Sequence, residues 1–150
     1  MSQPKLSGIH HVKIPVTDLA RSRAWYERVF GLRVTMEFPE QDGVVRGLGG
    51  DVPGLGDVGL ALRLNPQAAQ GCQGFDPVSF GVDDRSGIEA WASHLDSLGV
   101  GHSPVIDATK GWLLVFNDPD GLEIHLYSWA GHGIDQTGRP GYGRAVTEES

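Results

Sequence analysis

The sequence predicts an α+β fold made of two β-α-β-β-β modules. Two observations predict it. Extended runs with alternating apolar residues are interleaved with two segments of helical period. One order of features also occurs twice along the 150 residues. "HVKIPVTD" at 11–18 and "PVSFGVDD" at 77–84 both alternate and both end in an acid, Asp18 and Asp84. "AW" then recurs as Ala24-Trp25 and Ala90-Trp91, and each segment closes on glycine and an apolar residue, in "FGLRV" and "LGVGH".

Each module begins with a strand that runs into a helix. Thr17 and Asp18 in the first copy, and Asp83 to Ser86 in the second, offer side-chain oxygens to the free amides of a helix start. Trp25, Val29 and Phe30 give the first helix an apolar stripe, as Ile88, Trp91 and Leu95 do the second; both tryptophans are expected in the core. Gly31 and Gly99 suit the left-handed residue that ends a helix.

Three extended runs follow each helix. The first copy has "LRVTMEF", "GVVRGL" and "GLALRLN"; the second has a weak "GHSPVI", then "GWLLVFN" and "LEIHLY". The modules are placed at 8–66 and 75–128, joined by a linker at 67–74 that carries no period, and followed by a loosely held glycine-rich tail at 129–150. The glycines of residues 43–59 predict a mobile loop, either a lid over a cavity or only a turn. "GLGDVG" within it fits a dinucleotide fingerprint, but it precedes a strand instead of opening a helix, so that reading fails.

Bulk properties exclude several functions. A formal charge of −7 and a pI near 5.2 argue against nucleic acid, which requires a basic footprint. Cys72 is the only cysteine, so neither an intrachain disulfide nor a cysteine-based zinc knuckle can form. No apolar run approaches the roughly 18 residues of a membrane span, and the expected compartment is the cytoplasm. No G-x-S-x-G is present, and Cys72 lacks an obvious base, which argues against nucleophilic hydrolysis.

The polar faces of the end strands carry the chemistry. In "LEIHLY", Leu122, Ile124 and Leu126 alternate with Glu123, His125 and Tyr127. In the opening strand His11 and Lys13 share one face, and His10 is expected on the other. Trp112, in "GWLLVFN", either stacks on a ligand in a cavity or belongs to the core or a dimer interface; that run is apolar on both faces.

"HHVKIPVTDLARSRAWYERVFGL" and "FNDPDGLEIHLY" resemble the opening and closing segments of the vicinal oxygen chelate superfamily, which includes glyoxalase I, extradiol dioxygenases and the fosfomycin- and bleomycin-resistance proteins. The resemblance covers roughly residues 8–128. It implies that the modules form a curved mixed sheet around a cavity with the helices outside, that the chain is a homodimer, and that the ligand or substrate is a small molecule. It also implies metal positions on the end strands. His11 matches the first of these, and His125 stands where the family usually has an acid. Pro77 and Ala61 or Arg63 fall at the other two and cannot serve.

Two functions follow. In one, a divalent metal (Fe, Zn, Ni or Mn) held by His11 and His125 acts on a substrate with vicinal oxygens, in lyase, isomerase or ring-cleaving dioxygenase chemistry, with Glu123 as third ligand or base and Tyr127 as proton donor. In the other, the protein binds no metal and sequesters an apolar or cationic small molecule, as antibiotic-resistance proteins do. Lys13, Arg63 and Trp112 are the expected ligand-binding residues.

Overall fold

The structure is a computed structural model and describes residues 2–146. The chain divides into two compact units. The first takes the chain up to Gln73 together with Pro119–Gly121; the second takes Gly74–Asp118 and the chain from Leu122 on.

The first unit runs β1 (His11–Val16), α1 (Leu19–Phe30), β2 (Arg33–Pro39), β3 (Val45–Asp51), β4 (Gly59–Leu64) and α2 (Pro66–Gly71). Its strands form one mixed sheet in the order β1-β4-β3-β2, with β1 parallel to β4 and the other pairs antiparallel. Asp18 caps α1 by accepting from the Arg21 amide at 3.0 Å, and Gly31 ends it at φ 71°. The sheet sends Ile14, Val16, Leu48, Leu60 and Leu62 into a core shared with Tyr26 and Val29 of α1.

The second unit repeats the order as β5 (Ser79–Val82), α3 (Arg85–Ser97), β6 (Ile106–Asp107), β7 (Gly111–Asn117) and β8 (Glu123–Gly131), with the sheet order β5-β8-β7-β6. Asp84 caps α3 through the Gly87 amide at 2.9 Å. Ile88 and Leu95 of α3, Leu114 and Phe116 of β7, and Ile124 and Leu126 of β8 are buried. A four-stranded mixed sheet with one long helix, α1 or α3, in each unit gives the predicted α+β class with paired β-α-β-β-β modules.

Several local expectations are corrected. Residues 45–51 are not loop: they form β3, an inner strand of the first sheet, because Leu48 buries on the helix side and the glycines pair on both edges. Within 43–59 that leaves residues 43–44 before β3 and 52–58 between β3 and β4, with Val52 buried. The linker holds a short helix, α2, started by Asn65, whose side chain accepts from the Ala68 amide at 3.0 Å. The tail is tied down well beyond residue 128. β8 continues to Gly131, Gln136 is buried and donates to the carbonyls of Asp107 and Ala108, and the Thr109 hydroxyl donates to the Tyr142 carbonyl. Residues 147–150 of that tail lie outside the described residues. Trp25 is core, but Trp91 is only half-buried, edge-on to His94.

Candidate functional site

The open face of the first sheet is a trough. Register places its residues in rows: Lys13, Ala61, Gly49 and Met36 lie side by side across the four strands, and Pro15, Arg63, Gly47 and Phe38 form the next row. His11 stands beside Gly59 in the row before. The inner strands thus contribute no side chain larger than a methyl until Arg63, while the outer strands raise Met36 and Phe38 on one side and His11 and Lys13 on the other. The trough encloses about 580 Å³, within the range of small-molecule pockets.

The floor glycines differ in what the backbone demands. A side chain on Gly50 would meet the Arg33 carbonyl oxygen at 1.9 Å, so glycine is required there by the bulge between β2 and β3. Gly49 and Gly59 are different: an added Cβ would make only ordinary contacts, at 3.6 Å and 3.5 Å, and neither has positive φ. Their effect is to leave the floor bare.

The charges around the trough are mostly paired. Arg63, at its end, bonds Glu40, which Arg46 also holds at 2.6 Å. The Arg63 hydrogen bond, with help from Arg46, keeps the Glu40 carboxyl below its usual range. Asp51 pairs with Arg33 at 3.0 Å. Lys13 has no ion pair among the described residues. His10 was expected on the opposite face from His11. The ladder begins only at His11, however, and the Nδ1 atoms of the two rings lie 3.0 Å apart, both rings bordering the trough.

The open face of the second sheet carries Glu123, His125 and Tyr127, while Ile124 and Leu126 are buried on the helix side, as alternation predicts. Glu123 Oε1 lies 2.6 Å from His125 Nε2, and Asp76 Oδ2 stands 3.4 Å from its Nδ1. Asp76 escaped sequence reading because it lies in the segment before β5, where no period marks a face. The Tyr127 hydroxyl oxygen accepts from the Lys110 and Gly111 amides, both at 3.3 Å, which holds it at the entry to β7. Trp112 does not join this group. It shares the helix-side alternation of Leu114 and Phe116, with the Arg85 guanidinium 5.8 Å from its ring centroid and His132 edge-on at 5.9 Å.

Within each unit the donors do not make a metal site. Beside His11 on the neighbouring strand are Gly59 and Ala61; beside His125 on β5 is Ser79. Among the described residues no group of three or more His, Cys, Asp or Glu side chains is placed to hold a metal ion. A divalent ion wants three or four such ligands, so the residues of either unit alone do not fit one. His11 belongs to the first unit, and His125, Glu123 and Tyr127 to the second.

Fold and sequence define the class of protein. The family model of the Glyoxalase/Bleomycin resistance protein/Dioxygenase superfamily matches residues 8–126, and the chain belongs to that superfamily. It is 31% identical over 130 residues to the uncharacterized protein YaeR of Escherichia coli (strain K12), covering 81% of this chain and 96% of YaeR. Among solved structures it is similar to TnmS3, an antibiotic binding protein from Streptomyces sp. CB03234, with a TM-score of 0.68 and 24% identity over 84% of this chain and 98% of that one. It is also similar to lactoylglutathione lyase from Agrobacterium tumefaciens, with a TM-score of 0.65 and 19% identity over 84% and 96% of the two chains. At these identities the solved structures speak to the fold. No helix among the described residues is long and apolar enough to cross a membrane.

Proposed function

We propose that the chain is a metal-independent binding protein that holds a small, largely apolar molecule in the trough of its first unit. The observation that carries this reading is the bare floor of Gly49, Gly59 and Ala61 between walls that include Met36 and Phe38, which are 56% and 47% exposed. Large apolar side chains around a concave, side-chain-free floor are what a ligand surface needs and what a solvated sheet face does not. The absence of an acid at position 61 or 63 supports the same reading, since the family's metal positions are not filled there. The likeness to an antibiotic binding protein is in keeping with it.

The test uses Nile red, a neutral dye whose emission shifts when it leaves water. The full chain is expected to bind it with or without EDTA, and Gly49→Leu, which fills the floor, is expected to abolish the shift while the chain still folds. Binding that disappears with EDTA would favour a metal-dependent protein, and binding unaffected by Gly49→Leu would move the site elsewhere.

The Glu123–His125 pair favours a second reading, an enzyme. A carboxylate 2.6 Å from one imidazole nitrogen orients the ring, as a positioned general base requires. On that reading His125→Asn abolishes turnover of a bound compound and leaves Nile red binding intact.

A further inference from the structure

We infer that the ligand of the trough is a flat aromatic acid, lying with its ring face on the Gly49–Ala61 floor and its anionic group at Lys13. The inference rests on the reading of the trough as a ligand site and adds the chemistry of what occupies it.

Shape comes from the row geometry. Lys13 and Met36 are separated by three strand spacings, roughly 14 Å, and successive rows are about 7 Å apart. The surface between them has no side chain beyond the Ala61 methyl. A floor this long, this narrow and this smooth matches the face of a fused ring system. A branched aliphatic molecule would leave voids on it, and each void forfeits dispersion contacts. Met36 offers a polarizable thioether, and Phe38 in the next row an aromatic edge, both suited to ring contacts.

Charge comes from the pairing census. The arginines near the trough are neutralised: Arg63 and Arg46 by Glu40 and Asp42, and Arg33 by Asp51. Lys13 is the trough cation left without a partner among the described residues, and it rises beside the apolar floor, next to Ala61. Asp57, which also borders the trough, lies in the turn before β4, outside the strand ladder, and forms no ion pair with Lys13. A carboxylate or sulfonate at Lys13 therefore meets an ammonium donor with no competing protein acid in its row, whereas a cationic ligand would meet the ammonium itself.

The experiment compares three probes of one shape on the full chain: naphthoate, naphthamide and naphthylmethylammonium, titrated by calorimetry. Naphthoate is expected to bind about fivefold or more tighter than naphthamide, and the ammonium compound more weakly than either. The preference should shrink as salt is raised. Lys13→Met, which keeps the aliphatic stem, should bring naphthoate down to the level of naphthamide measured on the same variant. Equal binding of acid and amide by the parent chain, or a preference that survives Lys13→Met, overturns the acid proposal and leaves the binding site standing. If none of the three binds and Nile red does not bind either, both fall. A change in sedimentation mass in Gly49→Leu would assign the trough to a second copy of the chain and also overturn the proposal.

Discussion

Glu123 Oε1 and His125 Nε2 lie 2.6 Å apart on the open face of β8. Two side chains at i and i+2 on a strand share a face, and here they spend part of their bonding capacity on each other. Asp76 stands at the other ring nitrogen. The imidazole is held between two carboxylates, with the Ser79 hydroxyl residue beside it on β5.

For metal binding the expected result follows from this donor set. Protein purified without an affinity tag, incubated with Zn, Ni, Fe or Mn and then desalted, should retain far less than one ion per chain by elemental analysis. His125→Glu, which places the family's usual acid at this position, should raise retention of Mn above that of the parent. Stoichiometric metal in the parent would overturn the metal-independent reading.

The floor glycines give a paired prediction about stability. Gly50→Ala should be strongly destabilising, because its methyl would overlap the Arg33 carbonyl and the bulge would have to open. Gly49→Ala, one residue earlier on the same strand, should be neutral or stabilising by about 0.5–1 kcal/mol, since glycine carries an entropic cost that its backbone angles do not require. Thermal unfolding of the two variants beside the parent reads the contrast directly.

Asp120 gives a pH-dependent one. Burial pushes its carboxyl up, but bonds from the Thr17 hydroxyl, the Thr17 amide and Arg21 outweigh this and hold it below its ordinary value. A depressed acid stabilises the fold above its unfolded pKa, and that contribution is lost as pH falls through the folded value. Asp120→Asn should therefore cost about 1.5–3 kcal/mol near neutral pH. The gap to the parent should close in acid, below about pH 4. Denaturant melts across that range test it; a gap independent of pH would mean that shape, not charge, is what Asp120 supplies.

His102 runs in the opposite sense. Its bond with the Ser103 carbonyl and then its contact with Asp96, at 2.7 Å each, raise its pKa. A raised histidine stabilises the fold fully below its unfolded value and loses that contribution as pH rises through the folded one. The difference in melting temperature between the parent and His102→Ala should be larger at about pH 5 than at about pH 9.

The repeat made most of the fold legible. Asp18 and Asp84, Gly31 and Gly99, and the alternating faces of β1 and β8 act locally, through caps, φ and pleat, so their sequence pattern is their structure. β3 reads in sequence both as the extended run "GVVRGL" and as part of the loop 43–59, because three of its seven residues are glycine; pairing between two neighbours holds it as a strand despite low propensity. Core packing explains Leu114 and Phe116 in the apolar run of β7, whereas Leu113 and Val115 are half-buried on its other face. In the candidate sites, Lys13 and the Glu123–His125 face were readable from alternation, and Arg63 from the family resemblance. Asp76, Glu40 and the Met36–Phe38 wall were not, because each gains its meaning from a residue distant in sequence.

Pro119–Gly121, at the tip of the β7–β8 hairpin, group with the first unit although the strands on either side of them group with the second. Asp120 sits at that tip and serves as the acceptor for Thr17 and Arg21, at the start of α1. A fragment ending near Gln73 would thus lack a side chain that its own first helix depends on. Split-gene expression would restore it only by complementation, and a recombination event that exchanged one half of this chain for another would forfeit that contribution unless the incoming hairpin carried an acid at the same point.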